Sequence, residues 1–531
     1  MNWQSIRGLL LSCGALVLGA LAPAGVAAQG VEAEAVLKAR CAECHERLPD
    51  GSINRISHQR KTPEGWQMTI TRMTLIHGVQ VTPDERRTLV KYLSDRQGLA
   101  PSEAKPFRYI LERTPNLVEA TPEGDLGVLC ARCHSYARVA LQRRDAAEWT
   151  KLSHFHLGQF PTAEYQAGGR DREWWKIVST EAPKTLGKMY PFKTKEWTEW
   201  QKKPKAALEG TWRVAGYRPG QGALGGTATI AKSGADRYTV TYALADADGK
   251  PIQGAGNAIV YTGYEWRGTG KLGSEDVREV YAVSNDGNTI EGRWFVATSD
   301  ETGGRLTLVR DGKPAVAGLS RSHLKVGETA RLTVWGSGLG DKVDLGPGVT
   351  AKVVERRADA LVVEATASPK ATVGAHTVAA GKAKATGLLT VYDKIDAVKV
   401  EPALAIARVG GGGGKTVPVT AQFEAVAYLA GPDGKPGTDD DVRIGAMPAD
   451  WSTEPFNDAA REMADDKFAG GFAANGLFQP AVAGPNPERV YGTNNVGDLT
   501  VKATVKDGAQ TVEGTGRVIA TVQRWVDPPI R

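Results

Sequence analysis

The chain has 531 residues, of which 41% are hydrophobic and 24% are charged, and its 66 basic side chains slightly outnumber its 60 acidic ones. This length predicts several domains of roughly 100–200 residues each. The small positive excess is spread along the chain and forms no basic block, so neither nucleic acid nor an anionic membrane surface is expected as a partner.

The N-terminus has the pattern of a secretory signal peptide. Arg7 precedes the apolar run LLLSCGALVLGALAPAG, which ends in the small residues up to Ala28. A basic start, an apolar middle and a small-residue cleavage site predict that residues 1–28 are removed on export to the periplasm. Cys13 offers lipid attachment as an alternative, but most of the apolar run follows it. No later segment approaches the ~20 apolar residues of a membrane span.

The four remaining cysteines lie in two matching pentapeptides, CAECH at 41–45 and CARCH at 130–134. Two disulfides or a four-cysteine zinc site are the general alternatives in an exported protein, but neither explains the histidine after each pair. In C-x-x-C-H, two thiols bind the vinyl groups of one haem and the histidine ligates its iron. We therefore predict two covalently bound haems c, attached through Cys41, Cys44, Cys130 and Cys133, with His45 and His134 as proximal ligands.

The segments around the two pentapeptides repeat the same helical layout. Helical patterns precede each site, in VEAEAVLKAR and in EGDLGVLCARC. A tryptophan then opens a second helix, GWQMTITRM or EWTKLSHFH, and DERRTLVKYL or DREWWKIVS closes each repeat. This layout predicts tandem class I cytochrome c-like domains at residues 29–105 and 106–206.

The internal repeat also selects candidate distal ligands. Aligning the repeats on their tryptophans, Trp66 and Trp149, places Met73 and His156 both seven residues later. We therefore predict that Met73 ligates the first iron and His156 the second. His77, and more weakly Met68, remain alternatives at the first haem, and His154 remains one at the second.

Unequal distal ligands would give electron flow a direction. A haem with histidine and methionine ligands has a higher reduction potential than one with two nitrogen ligands, other things being equal. Electrons are therefore expected to pass from the His134 haem to the His45 haem and then outward.

After residue 206 the sequence alternates polar and apolar residues between glycine and Asp-Gly turns. Segments such as RYTVTYAL, REVYAVS and GRLTLVR predict antiparallel strands. We expect a barrel-like domain at 207–312, an immunoglobulin-like domain at 313–395 and a C-terminal β-sandwich, also immunoglobulin-like, at 396–531. The predicted fold class is multidomain α + β, with two cytochrome c-like helical domains followed by three antiparallel β domains.

Two local patterns in the β region have simpler interpretations as turns. GGGGGKT at 410–416 lacks the first glycine of a phosphate-binding loop and is followed by strand-like sequence. The acidic turn between Asp433 and Asp441 does not have EF-hand spacing, and a solvated turn is favoured over a calcium site. No nucleophile–base arrangement stands out, so no catalytic residue is assigned to this chain.

Two CxxCH sites with Trp-x6-Met in one repeat and Trp-x6-His in the other, followed by three β domains, resemble the alpha subunit of bacterial quinohemoprotein amine dehydrogenase. The resemblance covers essentially the whole mature chain. It implies a heterotrimer with a β-propeller subunit and a small subunit, which carries a cysteine tryptophylquinone and oxidises primary amines to aldehyde and ammonia. It further implies that this chain passes electrons from the quinone to a small copper protein or cytochrome c.

The cysteine count agrees with that division of labour. A cysteine-linked quinone needs a cysteine of its own, and all four mature cysteines are assigned to haem, so the quinone is expected on the partner subunit.

Two alternative functions belong to other classes of protein. One is a di-haem cytochrome c peroxidase-type enzyme, and the other is a free-standing electron carrier whose β domains are binding modules.

Overall fold

The computed structural model describes residues 24–114, 116–122, 124–159, 163, 166, 168–169, 171–414 and 416–523. Most of the predicted signal peptide, 1–28, and Cys13 within it lie outside these residues. The first described helix begins at Ala24.

The N-terminal part is helical, with two three-residue strands. Its helices are α1 Ala24–Arg40, α2 Pro63–His77, α3 Pro83–Arg96, α4 Pro101–Ala104, a 3-10 turn Lys105–Ile110, α5 Asp125–Cys130, α6 Ala137–Ala140, α7 Ala146–Gln159, α8 Trp174–Thr180, α9 Ala182–Met189 and α10 Lys195–Lys202; the strands are β1 Gln59–Lys61 and β2 Gln142–Arg144. The helices predicted before each pentapeptide and after each tryptophan are therefore present.

Local sequence explains where the helices begin and end. The Thr82 hydroxyl accepts a hydrogen bond from the backbone of Glu85, and the Glu85 carboxylate accepts one from the backbone of Thr82. This capping box, with proline at the first helical position, starts α3. Helix α2 ends at Gly78, which adopts φ 71° and donates its backbone N–H to the Met73 carbonyl.

The two helical repeats meet through β1 and β2. The strands pair antiparallel, and Arg60 lies opposite Arg143. These arginines are 83 residues apart, as are Trp66 and Trp149. Because these equivalent residues of the two repeats are paired across the antiparallel strands β1 and β2, a local twofold axis relates the repeats at this point. Each repeat has its own apolar core, one around Ile70 and Leu89 and the other around Trp149 and Leu186.

The next unit is an eight-stranded closed barrel, which agrees with the predicted barrel-like domain. Its strands are β3 Gly210–Arg218, β4 Gly222–Gly234, β5 Arg237–Asp246, β6 Pro251–Tyr261, β7 Glu265–Leu272, β8 Glu275–Val283, β9 Thr289–Val296 and β10 Ser299–Arg310. Each strand pairs antiparallel with the next, and β10 closes the barrel on β3. Buried Trp212, Trp266 and Trp294 belong to its core.

The helical region is attached to this barrel by buried and charged contacts. The Trp200 indole of α10 donates to the Thr262 carbonyl at 2.8 Å. The Arg267 guanidinium of β7 pairs with Glu64, in the first turn of α2, at 2.5 Å. The helix that carries Met73 is therefore fixed to the barrel at its N-terminus.

Two further β units follow, and each contains mostly antiparallel sheets with one parallel strand pair. The first contains β11 Ala315–Leu319, β12 His323–Lys325, β13 Thr329–Ser337, β14 Val343–Asp344, β15 Val349–Arg356, β16 Ala360–Ala367, β17 Gly374–Ala380 and β18 Ala383–Tyr392. These strands form two four-stranded sheets, ordered β11-β13-β16-β15 and β12-β18-β17-β14, in which only the short β12 pairs parallel to its neighbour.

The last unit has three sheets and a helical insertion. It contains β19 Ala397–Glu401, β20 Leu404–Arg408, β21 Ala421–Gln422, β22 Glu424–Leu429, β23 Val442–Met447, β24 Asp450–Pro455, α11 Asp458–Glu462, α12 Asp465–Phe468, β25 Gly470–Phe472, β26 Leu477–Pro480, a 3-10 turn Val490–Gly492, β27 Gly497–Asp507 and β28 Gln510–Thr521. The sheet orders are β19-β22-β23, β20-β28-β27-β24 and β21-β26-β25. Immunoglobulin-like topology in these two units stays a prediction.

Within the described part of the chain, no helix combines the length and apolar character needed to cross a membrane.

The glycine-rich segment after β20 turns back on itself, with Gly411, Gly412 and Gly413 at positive φ. In the acidic turn, Asp440 and Asp441 accept hydrogen bonds from backbone N–H groups of the turn itself.

Candidate functional site

The first pentapeptide continues the helical turn at the end of α1. The backbone N–H of His45 donates to the Cys41 carbonyl at 2.9 Å, and that of Cys44 donates to the same carbonyl at 3.2 Å. Cys41 is half-buried against the core of the first repeat, while Cys44 is exposed. Burial raises the pKa of the Cys41 thiol above its ordinary value, and the neighbouring Cys44 raises it further.

The second pentapeptide begins at the end of α5. Cys130 is half-buried between two small apolar clusters, and Cys133 is exposed, which repeats the arrangement of the first pair. Burial raises the pKa of the Cys130 thiol to about 11. Each pair therefore presents one half-buried and one exposed thiol three residues apart, with the C-x-x-C-H spacing typical of covalent haem attachment.

The alternatives for the cysteines find no support in the structure. All four are free thiols. Across the described residues, no cluster of three or more histidine, cysteine, aspartate or glutamate side chains could hold a metal ion.

Both pentapeptide histidines have one ring nitrogen committed to the backbone. Nδ1 of His45 lies 3.0 Å from the Asn54 carbonyl oxygen, and Nδ1 of His134 lies 2.9 Å from that of Ser135. A carbonyl can only accept, so each Nδ1 donates and the lone pair is on Nε2, the tautomer of a histidine that ligates iron through Nε2. Burial lowers the pKa of His134, which favours the neutral ligating form.

Met73 and His156 occupy equivalent positions on equivalent helices. On α2, Met73 follows buried Trp66 and Ile70 at the spacing of one helix face. On α7, His156 follows Trp149 and Ser153 at the same spacing. Nδ1 of His156 donates to the Leu152 carbonyl at 2.8 Å, which again leaves the lone pair on Nε2.

His156 is also close to the second pentapeptide. Burial lowers its pKa, and the positive form of His134 is among the charges that lower it further. Burial therefore favours the neutral form of both imidazoles, His134 and His156.

The competing ligands have other contacts. The His77 ring is exposed, and its Nε2 lies 2.7 Å from Nε2 of Gln159. The Met68 sulfur lies 3.3 Å from a guanidinium nitrogen of Arg138. The His154 ring packs edge-on against Trp175 with centroids 5.1 Å apart. These contacts favour Met73 and His156, although ligation by either stays a prediction.

The helices that carry the two candidates touch each other. The Arg72 guanidinium of α2 lies over the Phe155 ring of α7, 5.4 Å from its centroid. These residues directly precede Met73 and His156. The two proposed haem sites therefore adjoin through the helices that would supply their distal ligands.

Charged residues between the repeats were not anticipated from the sequence. Arg60, Lys61, Arg143 and Arg144 are all buried, as are the carboxylates Glu103 and Glu148. The sequence feature that could have indicated them is a repeated triplet, Gln-Arg-Lys at 59–61 and Gln-Arg-Arg at 142–144. Its two copies have the same 83-residue spacing as the tryptophans.

Four protein-family models match the chain. The one described as "Quinohemoprotein amine dehydrogenase A, alpha subunit, haem binding" matches residues 31–197. Those described as domains II, III and IV of the same alpha subunit match residues 205–311, 313–393 and 398–530. A search of curated proteins finds no match.

Similarity to solved structures is weak. A redesigned β-barrel, mFAP0, bound to DFHBI is 19% identical, covering 19% of this chain and 98% of that one with a TM-score of 0.18. Rv2717c from M. tuberculosis is 18% identical, covering 30% and 92% with a TM-score of 0.16. Mouse clustered PcdhgC3 EC1-3 is 15% identical, covering 44% and 77% with a TM-score of 0.17. Scores this low support no fold assignment.

Proposed function

The chain belongs to the quinohemoprotein amine dehydrogenase alpha-subunit family, and from that premise we propose that it is the di-haem electron-transfer subunit of a periplasmic amine dehydrogenase. It takes electrons one at a time from a cysteine tryptophylquinone on a small partner subunit, within a heterotrimer that also contains a β-propeller subunit. It passes them to a soluble copper protein or cytochrome c.

The observation that carries this proposal is the use of every mature cysteine in a CxxCH turn. The first pair lies on one helical turn and the second begins at the last residue of α5, and each histidine donates from Nδ1 to a backbone carbonyl, which leaves the lone pair on Nε2. No cysteine then remains for a quinone, so the amine must be oxidised on another subunit. Bound haem supplies one-electron chemistry, and this chain supplies attachment, axial ligands and placement.

The proposal assigns His45 and Met73 to the first iron and His134 and His156 to the second. It places the haem domains at 29–105 and 106–206 of a chain cut after Ala28. The β domains, at 207–312, 313–395 and 396–531, act as the scaffold that holds the partner subunits.

The native complex provides the test. Pyridine haemochrome should give two haems per copy of this chain, and a primary amine such as n-butylamine should reduce them in the complex but not in the isolated chain. A native mass equal to one chain would instead favour a free-standing carrier. Peroxide binding to the oxidised isolated chain would favour the peroxidase alternative.

Stepwise potentiometry tests the direction of electron flow. The methionine-ligated haem should be reduced first, since histidine–methionine ligation raises the potential. If the bis-histidine spectrum belongs to the haem reduced first, the proposed order is wrong.

A further inference from the structure

Two buried cations lie at equivalent positions between the repeats. Lys61 ends β1 and Arg144 ends β2, 83 residues later, and both are buried. The Lys61 ammonium lies 5.3 Å from the centre of the Trp66 ring, and the Arg144 guanidinium lies 5.8 Å from that of Trp149. Each cation therefore adjoins the tryptophan that shares a helix face with a candidate distal ligand.

Positive charge exceeds negative charge around these two residues. Burial lowers the pKa of Lys61 well below its ordinary value, and the charges of Arg144, Arg72 and Arg55 lower it further. The Lys61 ammonium donates to the Thr69 hydroxyl at 2.6 Å, and no ion pair joins it to a carboxylate of the described chain. Buried charge is costly unless a counter-charge compensates it.

Two carboxylates of the described chain act on the Arg144 charge: Asp145, which is exposed, and Glu148, which is buried and already shared. Its Oε1 accepts from the Lys151 ammonium at 2.5 Å, and its Oε2 lies 3.8 Å from Arg144 and 3.9 Å from Arg55, beyond hydrogen-bond distance. Arg60 and Arg143 lie one position earlier in each strand. Unlike Lys61 and Arg144, both form close ion pairs with a carboxylate, that of Glu103.

Two buried N–H donors at the same place lack an acceptor. Nε of Arg144 and Nε1 of Trp149 make no hydrogen bond to any described residue. The counterpart indole, Trp66, donates to the Gln97 carbonyl at 3.1 Å. An unsatisfied buried donor is costly, so two of them beside an excess of positive charge indicate a missing anionic acceptor.

We propose that Arg144 and Trp149 bind a propionate carboxylate of the second haem, with Lys61 contributing positive charge. This inference rests on the proposed function, since it requires haem at the His134 site. Trp149 lies on the α7 face that carries His156. Arg72, which shares the Thr69 hydroxyl with Lys61, lies over the ring of Phe155, the neighbour of His156, so the cluster and the iron site adjoin. Guanidinium and indole N–H groups are suitable partners for a carboxylate.

The test is the midpoint potential of the second haem in the full chain with both haems attached. Arg144→Gln removes one positive charge near the iron, which favours the ferric form. We expect on the order of a tenfold change in the reduction equilibrium constant, that is a fall of about 59 mV for a one-electron couple. Lys61→Gln should act in the same direction, whereas Arg144→Lys, which keeps the charge, should recover most of the potential.

A second readout detects the carboxylate itself. Trp149→Phe keeps the ring and removes only the N–H, so it should shift the propionate band in reduced-minus-oxidised infrared difference spectra, as should Arg144→Gln. Lys184→Gln is the matched control, because it removes an exposed lysine of α9 whose partner, Glu181, is also exposed. It should change neither the potential nor the infrared band.

The outcomes separate this inference from the function on which it rests. Fewer than two haems in the wild-type chain contradicts the proposed function. Two haems with a potential and infrared band unaffected by Arg144→Gln and Trp149→Phe overturn the propionate site alone. A wild-type potential that depends on phosphate concentration, with that dependence lost in Arg144→Gln, would assign the cluster to a free anion and also overturn it.

Discussion

Replacing Glu103 by glutamine should destabilise the helical region by about 3–5 kcal/mol, since removing one partner of a buried ion pair leaves the other charges uncompensated. Arg60 donates two hydrogen bonds to this carboxylate, at 2.8 and 2.9 Å, and Arg143 donates one at 3.1 Å. The Thr194 hydroxyl and the Ala100 N–H donate two more. A glutamine has no charge, and its amide nitrogen would face donors instead of accepting from them.

The assay is urea unfolding followed by haem absorbance, which reports on the helical region of a multidomain chain. With a slope of about 2 kcal/mol per molar urea, the expected loss lowers the midpoint by about 2 M. Glu181→Gln is the control, because Glu181 is exposed and its pair with Lys184 is worth at most about 1 kcal/mol.

The pH dependence gives the same prediction a second check. Burial raises the pKa of Glu103, but the hydrogen bonds and charges of Arg60 and Arg143 outweigh it, so the pKa lies below its ordinary value. For a depressed carboxylate pKa, the stabilisation is complete above the unfolded value of about 4.3 and is lost as the pH falls through the folded value. The difference between wild type and Glu103→Gln should therefore shrink below about pH 4. Equal midpoints at neutral pH would refute the reasoning.

Three other substitutions test separate parts of the chain. Met73→His should lower the potential of the first haem and replace its methionine-ligated spectrum, and an unchanged spectrum would place the distal ligand elsewhere. Replacing Cys41 and Cys44 together by alanine should halve the haem content, measured by pyridine haemochrome and intact mass. Gly225→Ala places a Cβ 2.3 Å from the Trp335 ring, and overpacking of about 1–3 kcal/mol should make the junction between the barrel and the next unit more sensitive to limited proteolysis.

The elements that the sequence predicts well are those with local patterns. Alternation between glycine turns predicts a barrel-like domain and most of its strands, and helical periodicity predicts α2 and α3. The repeated tryptophans also align α2 with α7, which places Met73 and His156 on equivalent faces.

The contact between the repeats could not be predicted in the same way. Strands β1 and β2 have three residues each, all polar or charged, and such segments normally lie in solvated loops. Arg60 can be buried because it pairs with Glu103, a carboxylate that it shares with the equivalent Arg143. Glu103 lies 43 residues away in the sequence. Pairing of this kind depends on tertiary structure, and no local period encodes it.

The repeats differ on the proximal side of the proposed haems as well as on the distal side. The second repeat has six fewer residues between its pentapeptide histidine and its short strand. As a result, Nδ1 of His45 donates to the carbonyl of Asn54, nine residues along the loop, whereas Nδ1 of His134 donates to the adjacent Ser135. Hydrogen bonding at Nδ1 tunes the ring as an iron ligand. The repeats therefore share their tryptophans, paired strands and helix faces but differ in the Nδ1 partner of the pentapeptide histidine and in the residue predicted as distal ligand. Two identical sites would have no intrinsic order of potential, so the proposed direction of transfer depends on these differences between the repeats.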